Sequence, residues 1–324
     1  MTSPSFPKTA LLFPGQGAQV VGMGRDFYDR SPAARAVIDA ANEAVDFPLR
    51  DLCSDGPLEA LTPTEIQQPA ILTASVAAWA ALVEAMGDDT SSLNITAAVG
   101  HSLGEYSALV AAGALTVEQA VPLVRTRGAL MQSAVPEGVG GMAALLGADE
   151  ETAESICHEV GGEVWVANLN GGGQIVLAGR VEALDQAATV AKAHGIRRVT
   201  RLQVSAPFHC PMMQPAADAL AVELAKIAFA PPRFPVIANL DSQANTDPAR
   251  LPGLLRGQVT SQVRFEACVR RASEMGCTRF IECGPGGKVT AMARRILPDA
   301  EFHTLASIQD LPPLLESIEV RKEG

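Results

Sequence analysis

The stretch AAVGHSLGEYSALVAAGAL, residues 97–115, decides how the rest of the chain is read. An apolar run ends at Gly100, a serine follows two positions later, and Gly104 opens a segment of helical composition. ITAAVG (95–100) suits a strand buried on both faces, and EYSALVAAGAL (105–115) suits a helix. G-x-S-x-G between a strand and a helix is the pattern of a nucleophile elbow. The turn is so tight that the neighbours of the serine must be small, and it lifts Oγ above the sheet edge. There Oγ faces a helix N-terminus, whose free N–H groups and dipole favour negative charge. Ser102 is therefore the candidate nucleophile, and the Leu103 amide is placed to receive an oxyanion. The plain alternative is a serine in a tight structural turn.

Working outward, TALLF (9–13) reads as a strand followed by the turn PGQG, and QPAILTASVAAWAALVEAM (68–86) as a long helix. Strand, sharp turn and helix recur, which predicts a parallel α/β sheet of hydrolase-like type. Residues 138–206 have a different rhythm. Strands are expected at 141–147, 164–170, 173–179 and 196–204, with helices at 148–160 and 180–195. That β-α-β-β-α-β order is the ferredoxin-like split unit. The expected organisation is a large α/β domain over 1–137 and 207–324, with a small inserted subdomain over 138–206. The large domain resumes with PVIANL (235–240), a helix around 251–275, the strand TRFIEC (278–283) and the turn GPGG.

The bulk numbers fit a folded chain: 324 residues, 48% hydrophobic, 19% charged. A net charge of −11 argues against nucleic acid as partner, because phosphates call for a basic face. The six cysteines form no CxxC pair and the five histidines no HxxxH, so no metal ligand set is expected and reduced thiols are. The N-terminal segment MTSPSFPKTALLFPGQG lacks the apolar length of a signal peptide, and no run approaches the roughly 20 apolar residues of a membrane helix. A cytoplasmic protein with no membrane contact is expected.

A serine hydroxyl needs a base to become nucleophilic. His158 and His194 fall in polar helices of the insert, and His303 lies near the C-terminus. His101 adjoins the serine, where the elbow geometry points its side chain away from Oγ. His209, in SAPFHCPMM (205–213), sits where the insert rejoins the large domain, a natural cleft edge. It is the favoured base; the alternative is an ordinary packed histidine at a domain junction.

FPGQGAQ (13–19), QQPA (67–70), GHSLGEYSAL (100–109), RTRGALMQ (125–132), SAPFHCPMM, QVTSQVRF (258–265) and ECGPG (282–286) together resemble the malonyl-CoA:acyl carrier protein transacylases. The same order of motifs marks the acyltransferase domains of fatty acid and polyketide synthesis. The resemblance implies that Ser102 is acylated and that His209 is its base, in a Ser–His dyad whose imidazole is oriented by carbonyl groups. It implies that Arg127, 25 positions after the serine, holds the malonyl carboxylate. A planar guanidinium gives a bidentate clamp there that Lys would not reproduce. It implies that the Gln16 amide joins Leu103 in the oxyanion hole and that Gln258 steadies the histidine. Gln68 and Asn170 occupy pocket positions, and His101 is counted with them as substrate-binding. Phe208 resembles the malonyl-selective form of its motif, with a ring that crowds an α-methyl group. This chain departs from the pattern in reading QVRF where many relatives read PVRW, and in carrying Cys210 where Ser is common.

The implied reaction is ping-pong transfer of malonyl from malonyl-CoA to the phosphopantetheine thiol of holo acyl carrier protein. It uses the coenzyme A thioester as substrate and has no bound cofactor and no metal. A free-standing monomer is expected. An acidic carrier would need a local basic patch, for which Arg197, Arg198, Arg201, Arg270 and Arg271 are the candidates. A stand-alone enzyme of fatty acid synthesis and a trans-acting polyketide acyltransferase would share these motifs. Other classes fit less well. GQGAQV lacks the third glycine of a dinucleotide fingerprint, and GPGGKV lacks the Ser or Thr of a P-loop. A lipase-type hydrolase would want an acid partner and have no use for Arg127. A non-catalytic carrier-binding module would not need Ser102, His209 and Arg127 together.

Overall fold

The computed structural model describes residues 6–204 and 206–319; Ser205 of the SAPFHCPMM segment and residues 1–5 of the N-terminal segment lie outside the described residues. Among the described residues, ten strands form two sheets. The larger uses β1 (Lys8–Phe13), β2 (Ile95–Gly100), β7 (Val236–Ile237), β8 (Ala244–Asn245), β9 (Cys277–Cys283) and β10 (Glu301–Leu305), in the order β10-β9-β1-β2-β7-β8. All pairs are parallel except the short β7–β8 ribbon at one edge. β1 and β2 are near-continuous apolar runs because both sheet faces are covered. Leu11, Phe13 and Ala98 join the larger core on one side, while Ala10, Leu12, Ala97 and Val99 join a second core on the other.

Register aligns the strand ends. Phe13 lies opposite Gly100, and Leu12 opposite Glu282. The turns PGQG, GHSLG and GPGG therefore emerge side by side at the carboxyl edge of the sheet, where open α/β sheets bind ligands.

The helix Thr64–Ala85 begins four residues before the expected start, with Pro69 inside it. The first turn is set from Pro63, whose carbonyl accepts from the Ile66 and Gln67 amides, and the Thr73 hydroxyl donates to the Pro69 carbonyl. By length and composition this 22-residue helix could cross a membrane, which amends the sequence reading; 83% of its most apolar window is buried inside the protein. It packs against the helix Val117–Ser133, where a Cβ on Gly128 would lie 2.5 Å from the Thr64 carbonyl oxygen.

The second sheet holds β3 (Gly140–Leu146), β4 (Val164–Leu169), β5 (Gln174–Arg180) and β6 (Arg198–Arg201), antiparallel in the order β4-β5-β3-β6. With helices Glu150–Val160 and Val181–Ala193 over one face and their own apolar core between, this is the ferredoxin-like arrangement. The last strand is shorter than the expected 196–204. The Leu202 amide still bonds the Met142 carbonyl, and the chain then leaves the sheet to deliver Phe208 and His209.

The expected helix at 251–275 is two helices, Leu251–Thr260 and Phe265–Glu274. Its break has a tertiary cause. The Val263 amide donates to the Ala167 carbonyl at 2.8 Å, and the Leu169 amide donates to the Val263 carbonyl at 3.0 Å. Residue 263 thus pairs with the edge of β4 and fastens the two sheets together.

Candidate active site

The elbow is built by crowding. A Cβ on Gly100 would fall 1.9 Å from the backbone carbon of Gly104, and a Cβ on Gly104 would fall 2.2 Å from the Phe13 carbonyl oxygen. Only glycine lets β1, β2 and the following helix, Gly104–Ala111, meet this closely. Ser102 takes φ 52° and His209 takes φ 62°, a left-handed region that costs a non-glycine residue roughly 1–2 kcal/mol. The cost at Ser102 is offset by fixed partners. Its amide donates to Asn239 Oδ1 at 2.7 Å, its carbonyl accepts from Gln258 Nε2 at 3.0 Å, and Asn239 Nδ2 donates to the Gly100 carbonyl at 2.7 Å.

Ser102 Oγ lies 2.7 Å from His209 Nε2, and His209 Nδ1 lies 2.8 Å from the Gln258 backbone carbonyl. A carbonyl only accepts, so Nδ1 carries the proton and Nε2 is free to take one from Oγ. Burial, with the Arg127 charge adding to it, pushes the His209 imidazolium down to about 3, so the ring is neutral near pH 7.

Arg127 is completely buried on the Val117–Ser133 helix. Its Nη1 donates to Gln68 Oε1 at 2.8 Å, and its Nη2 donates to Gln258 Oε1 at 2.8 Å and to Ser102 Oγ at 3.1 Å. The guanidinium carbon is 5.3 Å from the centre of the Tyr106 ring. A cation held this way, within reach of a nucleophile, is suited to an anionic group on the acyl chain being attacked.

The remaining expected residues sit one step out. Gln16 Nε2 donates to Gln67 Oε1 at 2.8 Å, and Gln68 Nε2 donates to Gln16 Oε1 at 3.3 Å, which ties the PGQG loop to the arginine. Among the described residues, neither the Gln16 amide nor the Leu103 amide has a hydrogen-bond acceptor. His101 pairs through Nε2 with Asn170 Oδ1 at 2.8 Å and packs against Phe265. His101, Asn170, Gln16, Phe208, Ser102 and His209 all line a cleft of about 850 Å³ between the two sheets. His194 and His303 pair with Glu159 and Glu301, away from it.

Two buried groups have no place in the sequence reading. Asn239 and Glu105 grip the elbow from below: Glu105 Oε2 accepts from the Asn239 amide at 2.9 Å and from Gln258 Nε2 at 2.8 Å. A signal was present for Asn239, a polar residue ending the apolar run PVIA at a strand's carboxyl edge. Of the basic candidates, Arg201, Arg270 and Arg271 are paired with Asp185, Glu266 and Glu274. The cations on the cleft wall are Lys288 and Arg295, which the sequence reading did not single out.

The acyl transferase domain family matches residues 10–312, nearly the whole chain and every residue of this site. The chain belongs to that family. The malonyl CoA-acyl carrier protein transacylase of Salmonella typhimurium is 42% identical to this acyltransferase over 290 residues, which cover 89% of this chain and 92% of the relative. The solved acyl-carrier-protein-S-malonyltransferase of Bartonella henselae superposes with a TM-score of 0.92 at 39% identity, over 96% of this chain and 99% of that one. A malonyl-transacylase solved in complex with its type II PKS acyl-carrier protein superposes with a TM-score of 0.90 at 38% identity, over 96% and 99% of the two chains. The acyltransferase thus shares with its solved relatives a fold of one mostly parallel large sheet and a separate antiparallel sheet.

Proposed function

We propose that this acyltransferase moves a malonyl group from malonyl-CoA to the phosphopantetheine thiol of holo acyl carrier protein, through a malonyl-Ser102 intermediate. The observation that carries the reading is Arg127, a wholly buried cation 3.1 Å from the nucleophilic oxygen. Its direct partners are neutral oxygens, and an acyl group without a carboxylate would leave the guanidinium with no anionic group in hydrogen-bond contact.

His209 Nε2 takes the Ser102 proton as Oγ attacks the thioester carbon. The oxygen that gains charge faces the Leu103 and Gln16 amides. The tetrahedral species collapses, the carbon–sulfur bond breaks, and His209 returns the proton to the coenzyme A thiolate. As the acyl chain arrives, Arg127 exchanges its contact with Oγ for the malonyl carboxylate, while Gln68 and Gln258 keep the guanidinium in plane. In the second half-reaction His209 deprotonates the carrier's thiol, which attacks the malonyl ester; the bond from the acyl carbon to Oγ breaks, and His209 returns the proton to Ser102 Oγ. Phe208 borders the acyl position and limits branching at the α-carbon. His101 and Asn170 line the approach. The substrate is a coenzyme A thioester, and every step balances with side chains and amides alone.

We assign residues 1–137 and 207–324 to the catalytic body and 138–206 to the inserted subdomain, with the cleft between them. A polyketide carrier is the second acceptor class, favoured by the solved relative held with its type II PKS acyl-carrier protein. The test is transfer itself. Wild-type protein should shift holo carrier, but not apo carrier, by the mass of one malonyl group, and Ser102→Ala should abolish the shift. Carrier left unmodified by folded wild-type protein would reject the reading.

A further inference from the structure

We propose that Glu105 is a positioning residue for acyl selectivity: its carboxylate fixes which way the Gln258 amide points, and so aims Arg127 at an acyl carboxylate. The proposal rests on the malonyl reading above and adds a residue that the reaction does not otherwise use.

Glu105 follows the nucleophile by three residues and is 3% exposed. Its Oε2 accepts from Gln258 Nε2 at 2.8 Å, and Gln258 Oε1 accepts from Arg127 Nη2 at 2.8 Å. The logic is directional. A carboxylate can only accept, so the Gln258 NH2 group must face it and the Gln258 oxygen must face the guanidinium. A glutamine at 105 keeps an oxygen toward the Asn239 amide but carries no charge and is a weaker acceptor, so it holds Gln258 Nε2 less firmly than the carboxylate does, and the Ser102 carbonyl at 3.0 Å becomes its main tether. A turned amide would set its NH2 against the Arg127 donors, and the guanidinium would lose its seat. The same carboxylate also supplies the nearby negative charge that favours the charged form of Arg127.

Charged and titratable groups face Glu105 from each neighbouring element. Arg127 on the Val117–Ser133 helix favours its carboxylate, and Asp241 after β7 opposes it. Tyr106 on its own helix and Cys268 on the Phe265–Glu274 helix are both pushed up to about 12 by burial and stay neutral. Asn239 and Gln258 carry no charge. Burial outweighs these partners and moves Glu105 up to about 7. Protonated, Glu105 is a weaker acceptor toward Gln258 Nε2 and no longer carries the charge that favours the charged form of Arg127.

The experiment compares kcat/KM for acylation of Ser102 by malonyl-CoA and by acetyl-CoA. In Glu105→Gln the malonyl value should fall about 30-fold and the acetyl value less than about threefold, so the preference drops roughly tenfold. In an Arg127→Met background the same change should remove less than about threefold further, because the two residues act on one interaction. Equal losses for both substrates, or full multiplication of the two lesions, would overturn the proposal and leave a merely structural glutamate. Wild-type protein gives a second measurement that needs no variant: the malonyl-to-acetyl ratio should decline as pH falls from about 8 to about 6. A constant ratio would count against Glu105. Failure of wild-type Ser102 to accept malonyl at all would instead reject the proposed function.

Discussion

Replacing Arg127 with methionine tests the substrate assignment through one side chain of similar length. In the free protein Nη1 and Nη2 each hold a glutamine oxygen at 2.8 Å, and Nη2 also touches Ser102 Oγ at 3.1 Å. A malonyl carboxylate would receive two charge-assisted hydrogen bonds of about 1.5–3 kcal/mol each. Giving up the Oγ contact and adjusting the amides returns about 1–2 kcal/mol, so the net gain specific to a diacid is about 2–4 kcal/mol. That converts to a malonyl preference of about 30- to 1,000-fold. Arg127→Met should remove this preference, with kcat/KM for malonyl-CoA falling by that factor and acetyl-CoA acylation holding or rising. Arg127→Lys should restore little, because one ammonium cannot span Gln68, Gln258 and a carboxylate. Acylation is followed by intact-protein mass spectrometry after rapid quenching, with a thermal melt confirming that each variant is folded. Retention of the malonyl preference within about threefold in folded Arg127→Met would refute the reasoning.

Three further outcomes follow from the same geometry. Because burial holds the His209 imidazolium down to about 3, Ser102 acylation by acetyl-CoA, which has no carboxylate for Arg127 to hold, should be flat from about pH 8 to about pH 5; a midpoint near the ordinary histidine value of about 6.5 would contradict the buried neutral imidazole. Gly100→Ala would place a methyl 1.9 Å from backbone, so soluble protein should lose several kcal/mol of stability and about a hundredfold or more in acylation; near-normal melting would show that the elbow is looser than described. Phe208→Ala should raise kcat/KM for methylmalonyl-CoA about tenfold relative to malonyl-CoA by opening the cleft wall, and an unchanged ratio would take Phe208 out of the selectivity account.

Much of this arrangement is legible in the sequence because it is local. Gly100 and Gly104 announce the elbow, since the close approach they allow leaves no room for a side chain. His209 emerges by its place at the junction, and the Gln258 carbonyl, not an acid, sits behind it. Arg127 is different: a buried arginine on a helix looks like a surface arginine, and only the family spacing separates them. Glu105 and Asn239 lie inside stretches already read as a motif and a strand. Their partners are 153 and 134 residues away in sequence, and no periodicity records such contacts. The break at 261–264 went unread for the same reason, since Val263 leaves the helix to pair with β4. The long apolar helix at 64–85 misleads in the opposite direction, because a helix sealed inside a protein has the composition of one sealed in lipid.

Peptide mapping after brief exposure to malonyl-CoA, without any carrier, tests the central claim most directly. The account predicts one added malonyl group, carried on the peptide that contains Ser102, removable by holo acyl carrier protein and absent from Ser102→Ala. Folded protein that stays unlabelled, or a label that maps to another residue, would contradict it.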